Sequence, residues 1–176
     1  MYLIHKTDPD FLSEIVKSKY LLPSSKTNNI GQGYHGSPLP YIFMNCIKND
    51  PKYMDRLRPY TFVFPIDILY DRQFYTDIEW AGGNISEATY YKKNTPLPEI
   101  TDALDKLFTQ SGANAYRKRN MDFTYKQEIF FKKRVDLNDA THLVITDRIP
   151  KEVISYLKEH YPNMKLVMYA KKNPTK

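Results

Sequence analysis

The chain has 176 residues, 26 Lys and Arg against 20 Asp and Glu, a formal net charge of +6 and one cysteine. That length suffices for one globular domain with its own apolar core, while a lone cysteine excludes an internal disulfide and any multi-cysteine zinc site. No stretch approaches the roughly 18 uninterrupted apolar residues of a membrane span, and the first residues lack the pattern of a secretion signal, so a soluble, cytoplasmic protein with no membrane partner is expected.

MYLIHKT opens the chain, and strict alternation puts Met1, Leu3, His5 and Thr7 on one face of a strand, with Tyr2, Ile4 and Lys6 on the other. A histidine in that setting is ordinarily a core residue satisfied by a backbone carbonyl, so a functional role for His5 requires partners elsewhere in the chain. Asp8-Pro9 reads as N-cap and first helical residue, and Phe11, Leu12, Ile15 and Val16 form a helical stripe ending near Tyr20. LLPSSKTNNIGQGYHGSPLP holds three of the six glycines and predicts a long surface loop, of the kind that in a compact domain is functional or disordered.

Pro40 to Ile47 (PYIFMNCI) reads as a short buried strand or a strand-like entry to a helix, and Thr61 to Asp71 (TFVFPIDILYD) as a strong strand with Pro65 at a bulge or edge. QFYTDI and the segment around Ala88 to Tyr91 are weaker strands. Between them EWAGGN carries Trp80 and the Gly82-Gly83 pair, which read as a turn anchored by a buried tryptophan. Pro98 to Gln110 is an amphipathic helix through Ile100, Leu104, Leu107 and Phe108, followed by the basic ANAYRKRNMD. Gln127 to Val135 (QEIFFKKRV) and Thr141 to Asp147 (THLVITD) alternate as strands. Pro150 starts a helix with Val153, Ile154 and Leu157 inward, and Lys165 to Ala170 closes the chain as a strand before a frayed tail, 171–176. The sum is a strand-rich α+β fold, one domain over 1–176 with an early and a late helix, and not an alternating βαβ array.

Charge divides unevenly along the chain. Met1 to Ala88 holds 9 basic and 10 acidic residues, Thr89 to Lys176 holds 17 and 10, so the whole positive excess lies in the second half. Such a distribution suits an anionic partner, although a solvated lysine-rich surface explains it about as often. The chain has no P-loop, no GxGxxG after a strand, no HExxH, no CxxC and no GxSxG. Its four histidines, His5, His35, His142 and His160, lack ligand-like spacing, so no metal site is expected.

What remains is an order of features: LIHKT before a helix, GQGYHGSPLPYIFMN, and QEIFF late in the chain. In that order they resemble the ADP-ribosyltransferase fold of the His-Tyr-Glu type, including its DNA-modifying (DarT-like) toxin branch. The resemblance implies a split β-sheet core around an NAD cleft, with His5, Tyr41 and Glu128 as the catalytic trio and Tyr34 competing with Tyr41. Lys6 stands where the family has a glycine, and Pro40 and Ile42 bracket Tyr41 less typically than the family motif.

Breaking the bond between nicotinamide and ribose in NAD builds positive charge on the sugar, so a fixed carboxylate beside it stabilises the transition state above the ground state. Glu128 is the candidate; the ordinary alternative is an exposed glutamate at a strand end. Tyr41, raised above the other tyrosines by the loop before it, would stack on the nicotinamide ring. His5 would orient a ribose hydroxyl, and Thr7 and Tyr34 would complete the cofactor contacts. Arg117, Lys118 and Arg119 with Lys132, Lys133 and Arg134 form a candidate surface for a nucleic-acid acceptor, though a lone RKR run is more often simply solvated. The expected activity is transfer of ADP-ribose from NAD to a macromolecule, single-stranded nucleic acid or a protein, by a monomer. The competing reading is an inactive module of the same fold that grips nucleic acid or a partner protein. An RNA 2′-phosphate transferase ranks lower, because no clear early arginine supplies its basic cleft.

Overall fold

The computed structural model describes residues 1–27, 40–47, 59–78, 88–109 and 127–168. The strands β1 (Tyr2–Thr7), β3 (Ile42–Ile47), β4 (Tyr60–Pro65), β5 (Phe74–Ile78), β6 (Thr89–Tyr91), β7 (Gln127–Phe131), β9 (His142–Ile145) and β10 (Lys165–Met168) form one sheet. Their order is β10-β9-β4-β1-β3-β7-β5-β6. A second, two-stranded sheet joins β2 (Tyr20–Leu21) to β8 (Val135–Asp136). Among the described residues the helices are α1 (Pro9–Ser18), α2 (Leu97–Thr109) and α3 (Lys151–His160). This is the expected α+β class; among the described residues parallel pairing is confined to β9 and β10, which α3 connects.

Alternation sorts the sheet into two faces. Leu3, Cys46, Phe62, Phe64, Met44, Ile129 and Phe131 belong to the main core, which also takes Leu12 and Val16 of α1, Ile100 and Leu104 of α2, and Val153 and Leu157 of α3. Ile4, Ile47, Val63 and Val144 make a smaller cluster on the opposite face. At roughly 25 cal/mol per Å² of apolar area removed from water, the larger cluster is what drives this sheet to fold. His5, as predicted, shares its pleat with Leu3 and Thr7.

Several boundaries differ from the sequence reading, for identifiable reasons. The helix after β1 ends at Ser18, because Lys19 takes the left-handed conformation (φ 67°) at the C-cap; Asp8 stands at the N-cap without a side-chain capping bond. The predicted strand to Asp71 stops at Pro65, and Ile66–Leu69 winds into a 3₁₀ turn. Proline offers no N–H to a ladder, so it closes β4 instead of bulging it. QEIFFKKRV is two strands, with Lys132, Lys133 and Arg134 at the bend between them. Ile154 is only partly buried, so Val153 and Leu157 alone make the buried stripe of α3. Part of the predicted surface loop is ordered as β2 and a 3₁₀ turn at Ser24–Lys26. Residues 28–39 of it, with Tyr34 and His35, lie outside the described residues, as do Trp80, Gly82, Gly83, Arg117 to Arg119 and the tail 171–176.

Candidate active site

The centre of the sheet contains a fork. β1 pairs with β4 along its whole length, Tyr2 to Thr7, but its ladder with β3 runs only through Tyr2–Ile47, Leu3–Cys46 and Ile4–Asn45. Beyond that last pair, β3 stays with β7, through Met44–Ile129, Phe43–Phe130 and Ile42–Phe131. His5 is the first residue of β1 past the end of the shared ladder, and its Nδ1 is 3.0 Å from the Phe43 carbonyl across the fork. In donating form that nitrogen fixes the ring to the neighbouring strand, which is how an ordinary structural histidine is satisfied and also how a ligand-facing imidazole is held in one orientation.

Three consecutive strands of the sheet therefore bring together distant parts of the chain: β1 carries His5, β7 carries Glu128, and Tyr41 immediately precedes β3 between them. Glu128 sits opposite Asn45 on one side and Asp77 on the other, so that Ile4, Asn45, Glu128 and Asp77 form one row across four strands at the level where the fork begins. Two residues further along β7, Phe43, Phe130, Tyr75 and Tyr90 form a second row on the same face. At about 3.3 Å per residue, the two rows are roughly 7 Å apart. Phe43 and Phe130 meet edge to face at 5.1 Å, and Tyr75 and Tyr90 lie tilted at 5.1 Å.

Tyr41 immediately precedes β3 and lies against the aromatic row, with ring centroids 6.3 Å from each of Phe43, Tyr75 and Phe130. It shares the face of Glu128 but lies four residues beyond Asn45, about 13 Å along the strand. His5 belongs to the other pleat, level with the fork. The structure thus gathers Tyr41 and Glu128 on one face of the sheet and leaves His5 on the opposite pleat, with Leu3 and Phe62, where the β1–β3 ladder ends. Thr7 is 4% exposed and its hydroxyl donates to the Asp8 carbonyl at 3.5 Å.

The basic residues proposed for the acceptor surface separate. Lys132 is exposed and its Nζ lies 5.2 Å from the Tyr75 ring centre and 5.9 Å from that of Tyr41. Its hydrogen bond with Tyr75 first, and then the neighbouring Tyr41 hydroxyl, hold its ammonium above the usual lysine range. Lys133 is exposed, whereas the Arg134 guanidinium stacks 4.1 Å over Tyr20 beside the small sheet. Farther along the Glu128 face, burial and then Lys165 push His142 below the usual histidine range, so it is neutral at pH 7. Among the described residues no group of three His, Cys, Asp or Glu side chains could hold a metal ion, and no helix is long and apolar enough to cross a membrane.

Sequence reasoning missed Asn45, Tyr75, Tyr90 and Phe130. The signal for Asn45 was present, since alternation through PYIFMNC sets Tyr41, Phe43 and Asn45 on one face; the pairing that puts Asn45 against Glu128 is long-range and cannot be read from either segment alone.

Comparison with known proteins agrees with this architecture. The fold is similar to that of Thermus sp. 2.9 DarT in complex with NAD+, with a TM-score of 0.58 at 13% identity over 96% of this chain and 94% of that one. The same protein in complex with ADP-ribosylated ssDNA matches with a TM-score of 0.56 at 13% identity, covering 96% of this chain and 93% of that chain. These likenesses establish the ADP-ribosyltransferase-like fold that the sequence motifs implied. In sequence, the chain is 28% identical over 170 residues to Uncharacterized protein L54 of Acanthamoeba polyphaga mimivirus, covering 94% of this chain and 89% of that protein. A sequence profile matches residues 1–111, and the chain accordingly belongs to the family described as Family of unknown function (DUF5846).

Proposed function

We propose that this protein is an ADP-ribosyltransferase that uses NAD as substrate, transfers ADP-ribose to a single-stranded nucleic acid and releases nicotinamide. The observation that carries the reading is the row at the fork: Glu128 stands on the central part of the sheet, on the same face as Tyr41, one strand from β3 and two from β1. Support also comes from neighbours of the same fold whose structures contain NAD+ and ADP-ribosylated ssDNA.

NAD would supply the bond that is broken, between the ribose C1′ and the nicotinamide nitrogen. Its electron pair leaves with nicotinamide, a nucleophilic atom of the acceptor bonds to C1′, and that atom's proton passes to solvent. The Glu128 carboxylate faces the positive charge that develops on the sugar, an interaction stronger in the transition state than before it. Tyr41 offers its ring to the nicotinamide, and Tyr34 is its alternative. His5 stands on the opposite pleat, just past the end of the β1–β3 ladder, and from there its ring, held by the Phe43 carbonyl, would fix a ribose hydroxyl entering the fork; pre-set orientation of this kind lowers the entropic part of the barrier. Thr7 lines the same strand, and Arg117, Lys118, Arg119, Lys132, Lys133 and Arg134 would attract the acceptor's phosphates.

A second reading has one specific observation in its favour. The bond from His5 to the Phe43 carbonyl and the burial of Thr7 are what a catalytically silent module of the same fold would also have. NAD itself separates the two. At about 100 times its dissociation constant, a ligand adds roughly 2.7 kcal/mol of stability, which raises the melting temperature of a domain of this size by about 5–10 °C. A shift of that order at millimolar NAD supports the transferase; a folded protein whose melting temperature ignores NAD supports the silent module.

A further inference from the structure

The aromatic row beside Glu128 is more than the proposed chemistry uses. Its Phe43 and Phe130 end is packed into the sheet, Phe130 being 5% exposed, but its Tyr75 and Tyr90 end reaches the surface, where Tyr90 is 44% exposed. On the far side of the row from Glu128 lie the exposed Lys132, with its ammonium at the Tyr75 and Tyr41 rings, and the exposed Lys92 and Lys93 directly after β6. The face is thus graded over a few residues: the Glu128 carboxylate, then aromatic rings, then ammonium groups.

We propose that Tyr75 and Tyr90, with Lys132, are a base-stacking platform for single-stranded nucleic acid. This deepens the transferase reading, on which it rests for the identity of the acceptor. Only a polyanion that carries planar rings matches the gradation, its bases on Tyr75 and Tyr90 and its phosphates along the lysine edge, which leaves the strand running past Glu128. An acidic peptide has the charge without the rings. A duplex has both, but its base faces are hidden in the stack. The contact of Lys132 with the rings does not obstruct this. Stacking of a base on tyrosine outweighs an exposed cation–π contact, so an arriving base displaces the ammonium from the ring face and leaves it beside the adjacent phosphate.

Fluorescence anisotropy with a labelled 12-nucleotide single-stranded oligonucleotide, at two salt concentrations, tests this. Wild-type protein binds the single strand and prefers it to a duplex of the same sequence. Tyr90→Ala, and Tyr75→Ala with Tyr90→Ala, weaken binding by about tenfold or more, whereas Tyr90→Phe, which keeps the ring, retains it. Lys132→Ala flattens the slope of log affinity against log salt by about 0.7. Thermal melts of each variant establish that it is folded. Binding that is unchanged in the folded alanine variants, equal binding of duplex, or no binding by wild type at low salt overturns the platform. The NAD melting shift of wild type is read separately. Ring-dependent binding without that shift overturns the transferase reading and leaves the platform standing; the shift without ring-dependent binding does the reverse.

Discussion

Tyr161→Phe removes one hydroxyl, and the structure fixes what it costs. Tyr161 is 3% exposed, follows α3 directly, and donates at 2.7 Å to the carbonyl of Val16 in the last turn of α1. The final carbonyls of a helix have no intrahelical partner, so this bond satisfies a buried acceptor that would otherwise be orphaned. Losing it costs about 1–3 kcal/mol, which for a domain of this size is roughly 2–10 °C of melting temperature. The effect reaches the site's framework, because α1 follows the strand that carries His5 and α3 bridges β9 and β10. The buried hydroxyl also has a pH signature. Burial, then the nearby Tyr156, Asp136 and Tyr20, push the Tyr161 phenol up to about 12 from an ordinary 10.0. A group whose folded value is raised contributes stability that is complete below the unfolded value and lost as pH rises through the folded one. Urea denaturation of both proteins between pH 7 and pH 12 should therefore show the difference in stability constant up to about pH 10 and shrinking above it, since the phenylalanine has nothing to ionise. Equal midpoints at pH 7, or a difference that persists undiminished to the alkaline end, would refute the argument.

Two further variants address the site. His5→Ala should weaken NAD binding, read as a smaller NAD-induced melting shift, while the loss of its bond to Phe43 costs about 1 kcal/mol of stability; an intact NAD shift in the folded variant assigns His5 to structure alone. Replacing Arg117, Lys118 and Arg119 together by Ala should weaken single-strand binding and flatten its salt dependence without altering the NAD shift, and unchanged oligonucleotide affinity removes that run from the acceptor surface.

How far the sequence revealed the fold depended on the range of the interactions. MYLIHKT, Asp8-Pro9 and the Phe11 to Val16 stripe announce β1 and α1, because alternation, an N-terminal proline and helical spacing are local. The same holds for THLVITD, Pro150 and KLVM, which became β9, α3 and β10. TFVFPIDILYD misled, since its apolar run continues through residues that wind into a turn once Pro65 has closed the ladder. QEIFFKKRV misled likewise: its alternation continues into Val135, but tertiary pairing gives Phe131 to β3 and Val135 to β2. At the candidate site, the motif order singled out His5, Tyr41 and Glu128, yet the fork cannot be read from MYLIHKT, because it exists only where β1 leaves β3 while remaining with β4. The aromatic row was invisible for the same reason: Phe43, Tyr75, Tyr90 and Phe130 come from four separate segments and meet only through register.

Nicotinamide release from NAD, measured for wild type and Glu128→Gln, tests the central claim most directly. The substitution keeps the shape of the side chain and removes the charge, so the account predicts slow release by wild type and a loss of about 10²–10³-fold in the variant, the scale of removing one electrostatic stabiliser, with the melting temperature little changed. Release by the folded variant at a rate comparable to wild type, or none from wild type in the presence of single-stranded nucleic acid, would contradict it.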